Sequence, residues 1–257
     1  MPRRFSGPLL PGTTSVRTVN RRNKYAKRVK FVPTKSLTRQ VKNISINASE
    51  TKRSNQYTQD PQKLFHNKAY YTGQLLATTQ GFTDPQGLIN ATKNRIGDEV
   101  YAKGLHFKIF LANAARRANV NYRIVMFSYN TQYVQLGGAI TDAEFWSGLD
   151  GQGANMNRML DKPNTDRIKV LKSIVLKPSH EANYSITSDT TFLEKTRTIS
   201  MYMPFKNRKI KYNEDDSPFP LYRDIGVMVL AYDTMSSLET DLIGSFQWTS
   251  TFYFKDP

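Results

Sequence analysis

The chain contains no cysteine, which excludes disulfides, thiolate zinc sites and cysteine nucleophiles. It also lacks a long hydrophobic run. The longest one, GVMVLAY at 226–232, is far shorter than the roughly 20 residues that span a bilayer. The N-terminal stretch MPRRFSGPLLPG has no apolar segment of the signal-peptide type. These absences predict a soluble protein of the cytosol or nucleus that has no membrane partner.

Histidine is scarce as well, and this argues against an enzyme. His66, His106 and His180 lie far apart in the sequence, and no Gly-Lys pair of a phosphate-binding loop occurs. The consecutive acids at 214–216 cannot easily converge on one ion, so they predict a solvated loop. No carboxylates are paired at a spacing that indicates acid–base catalysis. We therefore predict no catalytic residue, no metal site and no cofactor.

Acidic residues are absent from the first 49 positions, whereas bases are dense there. The first acid is Glu50, and twelve of the 37 Lys and Arg residues precede it. The remaining 25 bases face all 21 acids, so residues 50–257 have a net charge of only +4. A basic segment on a near-neutral body indicates a polyanionic partner.

The basic segment has the composition of a disordered nucleic-acid-binding arm. Its apolar residues are scattered singly, so little apolar burial offsets the entropy of ordering it. Phe5, Tyr25 and Phe31 are interleaved with the charges and could stack on unpaired bases. We predict that thirteen residues bind nucleic acid: Arg3, Arg4, Arg17, Arg21, Arg22, Lys24, Tyr25, Lys27, Arg28, Lys30, Lys35, Arg39 and Lys42.

A nuclear import signal is a second reading of the same charges. The patch RRNKYAKRVK fits a basic import signal, and six residues would carry it: Arg21, Arg22, Lys24, Lys27, Arg28 and Lys30. Nucleic-acid binding and nuclear import could share these residues. The alternative to both is a tail that only keeps the protein soluble. The arm is predicted to cover residues 1–56, with a short strand possible around Val41, Ile44 and Ile46.

The rest of the chain alternates apolar and polar residues with the period of β-strands. Eight segments are candidate strands: 69–78, 105–111, 122–129, 167–177, 198–203, 208–212, 225–232 and 246–254. The segment 225–232 is apolar throughout, as expected of a strand buried on both faces. Only 141–149 predicts a helix, with Thr141 and Glu144 spaced as a capping box. Residues 57–257 are therefore predicted to form an all-β, eight-stranded antiparallel jelly-roll sandwich.

Five short stretches occur in an order that resembles a known family. They are NRIGDEV (94–100), YRIVMFSYNT (122–131), DRIKVLKSIVLKP (166–178), FKNRKIKYN (205–213) and FYFKDP (252–257). Together they resemble the capsid proteins of circular Rep-encoding single-stranded DNA viruses, the circovirus-like group. The likeness covers about residues 65–257. The arm departs from the family pattern, since its charges are spaced and mixed instead of forming dense arginine blocks.

The resemblance implies a structural protein that assembles into an icosahedral shell, T=1 with sixty copies, and packages circular single-stranded DNA. It implies a location in the virion, and in the host nucleus during assembly. Neither the host attachment factor nor the import receptor can be named from the sequence. Two alternatives stay open: a capsid protein of a small RNA or satellite virus, and a cellular nucleic-acid-binding protein with a basic tail.

Overall fold

The computed structural model describes residues 34–81, 94–114, 117, 119–133, 140–147, 157–176, 196–212, 217–234 and 238–256. It divides the chain into two units, residues 1–48 and 49–257. The first unit contains helix α1 (Thr34–Ala48). The second contains nine strands and the one-turn helix α2 (Asp142–Phe145). The strands are β1 (Thr51–Tyr57), β2 (Gln62–Phe65), β3 (Ala69–Thr72), β4 (Glu99–Asn113), β5 (Val120–Asn130), β6 (Ile168–Leu176), β7 (Thr196–Lys211), β8 (Arg223–Asp233) and β9 (Leu242–Lys255).

The strands form two antiparallel sheets with jelly-roll connectivity, as predicted. In the first sheet β1 and β2 pair with successive parts of β9, followed by β4 and β7. In the second sheet the order is β3, β8, β5, β6. The nine strands therefore occupy eight positions. In order along the chain, β1 and β2 pair with β9, β3 pairs with β8, β4 pairs with β7, and β5 pairs with β6. This nested pairing of first with last is the arrangement of a jelly roll.

The predicted end of the arm at residue 56 was wrong. Residues 51–57 form β1, whose register runs from Thr51 opposite Lys255 to Tyr57 opposite Thr249. The second unit accordingly begins at Ser49. The strand predicted around Val41, Ile44 and Ile46 is also wrong, because these residues lie in α1. Residues 34–56, placed in a disordered arm, are a helix and a strand, and residues 1–33 lie outside the described residues.

Two predicted strands, 198–203 and 208–212, are parts of the single strand β7. A local irregularity separates them, since Lys206 and Asn207 adopt left-handed backbone conformations with φ of 53° and 57°. The register of β4 against β7 shifts at the same place, between Ala102 and Gly104. A bulge of this kind inserts unpaired residues without ending the strand. The predicted strand 69–78 is shorter than expected and ends at Thr72.

The second sheet is buried on both faces at its central strands, β5 and β8, whereas its edge strand β6 is largely exposed. Its inner face packs against the first sheet through a core that includes Ile124, Val227 and Val229. Its outer face is covered by the chain that follows β5, where Phe145 and Trp146 pack on Phe127 and Leu230. This double burial explains why 225–232 is apolar throughout and confirms that interpretation of the sequence.

Helix α2 begins where the capping box predicts it. The Glu144 carboxylate accepts a hydrogen bond from the backbone N–H of Thr141 at 3.0 Å. The helix ends after one turn, earlier than predicted, because Trp146 forms an isolated bridge with Pro163. Asp142 in this turn accepts hydrogen bonds from the Tyr71 hydroxyl and from Arg158, both at 2.5 Å. These contacts fasten the covering segment to β3.

Three of the five resemblance motifs meet at one buried corner. Arg95 of the first motif is fully buried, and its guanidinium lies 4.5 Å from the ring centroid of Tyr212. The backbone N–H of Ile96 donates to Asp256 of the terminal motif at 2.5 Å. Asp256 also pairs with buried Lys52 at 3.2 Å. These motif residues thus have a structural role in this chain, because each partner satisfies a charge that would be costly to bury alone.

A buried carboxyl, Asp224, lies near this corner at the start of β8. One of its oxygens accepts the backbone N–H groups of Leu76 at 3.1 Å and Ile225 at 2.6 Å. Among the residues that the structure describes, none donates a hydrogen bond to the other oxygen. Burial raises the pKa of Asp224 to about 7, although the two backbone hydrogen bonds act in the opposite direction.

Asp224 predicts a specific pH dependence of stability. Because its folded pKa lies above its unfolded pKa, folding becomes less favourable as pH rises from about 4 to about 7. Asp224→Asn removes this charge and should unfold at the same denaturant concentration as the native chain at pH 4.5. At pH 8 it should be more stable by about 1–3 kcal/mol. Denaturant unfolding at both pH values tests this, with the exposed Asp60→Asn as control. An equal effect of Asp224→Asn at both pH values would contradict the assignment.

Candidate nucleic-acid interface

Most of the residues predicted to bind nucleic acid lie outside the described residues. These are Arg3, Arg4, Arg17, Arg21, Arg22, Lys24, Tyr25, Lys27, Arg28 and Lys30, and they include the whole predicted import patch. The other three, Lys35, Arg39 and Lys42, belong to α1. Arg39 and Lys42 are both exposed and, three residues apart, share one side of the helix.

Helix α1 is amphipathic, with its apolar side exposed. Leu37, Val41 and Ile44 recur at the spacing of a helical stripe and are 49%, 63% and 67% exposed. At about 100° per residue this stripe lies nearly opposite Arg39 and Lys42. The helix therefore presents its basic and apolar residues on two different sides.

The outer face of the first sheet is a broad polar surface. Register places Lys108 of β4 between Ser200 of β7 and Thr249 of β9, and Tyr57 of β1 lies beyond Thr249. The next row is similar. It consists of Tyr202, His106, Thr251 and Asn55. The inward side chains of the same strands form the core, so the outward ones are available to a partner.

The described part of this face carries bases and aromatic rings, and its one acid lies at the margin. Arg53, Lys63 and Lys108 are exposed on it. Exposed aromatic side chains lie among them, namely Tyr57, Phe110 and Tyr202. Among the outward residues that the structure describes on β1, β2, β4, β7 and β9, Asp and Glu occur only as Glu99, at the margin. Bases that neutralise phosphates and rings that stack on bases are the two components of single-strand binding.

Glu99 is held by lysines at the edge of the sheet. Its carboxylate pairs with Lys209 and, at 3.2 Å, with Lys211. The hydrogen bond from Lys209 is the main reason that the pKa of Glu99 is below its ordinary value. The acid thus offsets part of the local positive charge without facing the centre of the sheet.

Of the three histidines, the structure describes His66 and His106. His106 lies on the outer face of the first sheet, where its Nε2 is 2.7 Å from the Ser200 hydroxyl. His66 is buried, and its Nδ1 accepts the backbone N–H of Asp233 at 3.1 Å. Burial lowers the pKa of His66. His180 lies outside the described residues.

A cluster of charges near His66 joins the loops at one end of the sandwich. Arg117 donates to Asp233 and to Asp241, each at 3.0 Å. The carboxylate of Asp241 also accepts the backbone N–H of Leu238 at 3.2 Å. The loops that follow β4 and β8 are thereby fastened together, so this cluster has a structural role.

No metal site is found within the described part of the chain, where no three His, Asp or Glu side chains are grouped closely enough. The acidic run at 214–216 lies outside that part. None of the helices in the described ranges is both long and apolar enough to cross a bilayer.

Comparison with known proteins identifies no family and shows likeness to solved structures. No family model matches the chain, and no curated protein matches its sequence. The chain is similar to the VP2 subviral particle of infectious bursal disease virus, with a TM-score of 0.23 and 9% identity. This likeness covers 81% of the present chain but only 38% of the VP2 chain. The jelly-roll assignment therefore depends on the strand order and not on this neighbour.

The sequence alone did not reveal the face of the first sheet as a candidate surface. Arg53 had been assigned to the arm, and Lys63 and Lys108 are separated by 45 positions. Only the shared pairing with β9 brings these three bases onto one surface. The only local sign of this surface in the sequence was the position of Lys108 between core residues of β4.

We expect charge reversal on this face to weaken nucleic-acid binding. Lys63→Glu with Lys108→Glu removes two bases, so the log–log salt slope for an oligothymidylate should fall by roughly 1.4, at about 0.7 per phosphate contact. Fluorescence anisotropy of a labelled oligonucleotide over a salt series measures this. The control is Lys162→Glu with Lys172→Glu, exposed lysines away from this face. If both pairs reduce the slope equally, the face has no special role.

Proposed function

We propose that this protein is a structural viral capsid protein that self-assembles into a small icosahedral shell. The observation that carries the proposal is the direct succession of an acid-free basic segment and a jelly-roll sandwich. Sixty copies in a T=1 arrangement would form the shell. The main partner is then a second copy of this chain, and the location is the virion.

The packaged partner is single-stranded nucleic acid, held by the N-terminal arm. Lys and Arg side chains need no fixed geometry to neutralise phosphates, since each contact releases a condensed counterion. Sixty arms of twelve bases supply on the order of 700 positive charges, each able to neutralise about one phosphate. The outer face of the first sheet begins where the arm ends, at β1, and extends the same chemistry onto folded structure.

Circular DNA is the genome that the ordered series of motifs favours. The charge pattern itself serves RNA equally well, because nothing in it recognises a 2′-hydroxyl. The basic patch at 21–30 would direct the chain to the nucleus, where a DNA genome of this kind is packaged. Nuclease digestion of the particle contents separates the two genomes, since DNase-sensitive contents support the proposal and RNase-sensitive contents favour an RNA virus.

Removing half of the arm's twelve bases should strongly reduce the packaged nucleic acid and leave the sandwich folded. The variant replaces six bases by Gln: Arg21, Arg22, Lys24, Lys27, Arg28 and Lys30. Its control replaces six neutral residues of the arm by Gln: Thr13, Thr14, Ser15, Thr18, Asn20 and Asn23. The ratio of absorbance at 260 and 280 nm in purified particles is the readout. We expect a clear fall for the first variant only.

The result that contradicts this role of the arm is equally specific. If the variant that lacks these six bases forms particles with the native nucleic-acid content, the basic patch at 21–30 does not package the genome. Circular dichroism of both variants confirms that the β-sandwich is retained, so a loss of packaging cannot be attributed to misfolding.

A further inference from the structure

A cleft opens between the two sheets at their common edge. Strands β6 and β7 are the edge strands of the second and first sheet. The cleft between them has a volume of about 530 Å³. Its floor includes Leu76 and Ile225 of the core between the sheets. The volume falls within the range of ligand pockets, about 300–1,000 Å³.

The lining of this cleft is strongly basic. Five bases contribute to it: Lys169, Arg208, Lys209, Lys211 and Arg223. No acid is part of the described lining, and Glu99, which pairs with Lys209 and Lys211, offsets only one of these charges. Within the described ranges, Lys169, Arg208 and Arg223 form no ion pair or side-chain hydrogen bond that would satisfy them. Three cations are therefore available to an anionic ligand.

Aromatic and apolar groups share the cleft with these cations. Phe205 and Tyr222 line it, and Tyr222 is 58% exposed. Met203 and Pro220 add apolar surface. A purely inorganic anion would leave this surface in contact with water. The combination instead suits a ligand that carries both a phosphate and a flat apolar ring.

We propose that the cleft binds a nucleotide of single-stranded nucleic acid, with its phosphate at Arg208 and Arg223 and its base against Phe205 or Tyr222. Guanidinium groups bind phosphate in a bidentate manner, which fixes the ligand more precisely than charge neutralisation alone does. The proposal rests on the proposed function, because the packaged genome supplies the nucleotide. It adds a defined site on the folded domain to the sequence-independent binding by the arm.

Photocrosslinking of the full-length chain tests the site directly. The probe is a pentathymidylate whose central base is 5-iododeoxyuridine, which couples to nearby aromatic side chains on irradiation. Mass spectrometry of the digested protein should find the probe on peptides that contain Phe205 or Tyr222. Arg208→Ala with Arg223→Ala should lower the yield on these peptides at least tenfold and leave crosslinks to residues 1–33 unchanged. Lys162→Ala with Lys172→Ala, bases outside the cleft, should change neither.

Competition identifies the chemistry that the cleft recognises. Thymidine monophosphate should suppress crosslinking at the cleft at lower concentration than inorganic phosphate, because only the nucleotide also fills the aromatic part. A pentapeptide of Glu that competes as well as the nucleotide would overturn the proposal, since the cleft would then recognise acidic chains in general. Absence of any crosslink at Phe205 or Tyr222 in the native chain would overturn it too.

The two proposals fail in different ways. If the cleft is not labelled but the chain forms nucleic-acid-filled particles with labelled arms, only the cleft proposal falls. If the chain forms no particles, the capsid function falls whatever the crosslinks show.

Discussion

The burial of the central strands of the second sheet, β5 and β8, on both faces is the constraint that determines which surfaces remain for partners. The chain after β5 folds back over this sheet and covers it with Phe145 and Trp146. Arg123 fastens the cover by donating to the backbone carbonyls of Met159 and Asp161 at 2.9 and 2.8 Å. With β3, β8 and β5 enclosed, a partner can reach the outer face of the first sheet and the edge between β6 and β7.

Acidic residues are also divided between the interior of the sandwich and the surfaces that a partner can reach. Several acids of the sandwich are engaged in internal pairs, as Asp256 is with Lys52 and Asp98 is with Arg95. Arg117 in turn holds Asp233 and Asp241. Acids used inside the domain do not cancel bases on its surface. Near-neutral composition is thus compatible with a basic cleft, and with a first sheet whose described outer face is acid-free except at its margin.

Much of the fold could be predicted from sequence, because apolar alternation reports directly on burial. The strand at 225–232 was predicted from its continuous apolar run, and the start of helix α2 was predicted from the capping-box spacing of Thr141 and Glu144. Strand β1 could not be predicted from apolar alternation, since its inward side chains are polar. Lys52 pairs with Asp256, while Ser54 and Gln56 donate to the carbonyls of Ala77 and Gln74 at 3.2 and 2.9 Å.

Helix α1 was missed for a different reason. Ile44 and Ile46 alternate as in a strand, but Leu37, Val41 and Ile44 repeat with the period of a helix. The candidate binding surfaces were even harder to predict from the sequence, because strand register brings their residues together. Phe205 and Tyr222 are 17 residues apart, and nothing local indicates that they line one cleft with Lys169.

The mass of the particle is the most direct test of the central claim that this chain is a shell-forming protein. Size-exclusion chromatography with light scattering on the full-length protein measures it. Sixty chains of 29.4 kDa predict a protein mass of about 1.8 MDa, accompanied by strong absorbance at 260 nm. A monomer or dimer free of nucleic acid, persisting across salt and pH, would contradict the account and favour a cellular nucleic-acid-binding protein.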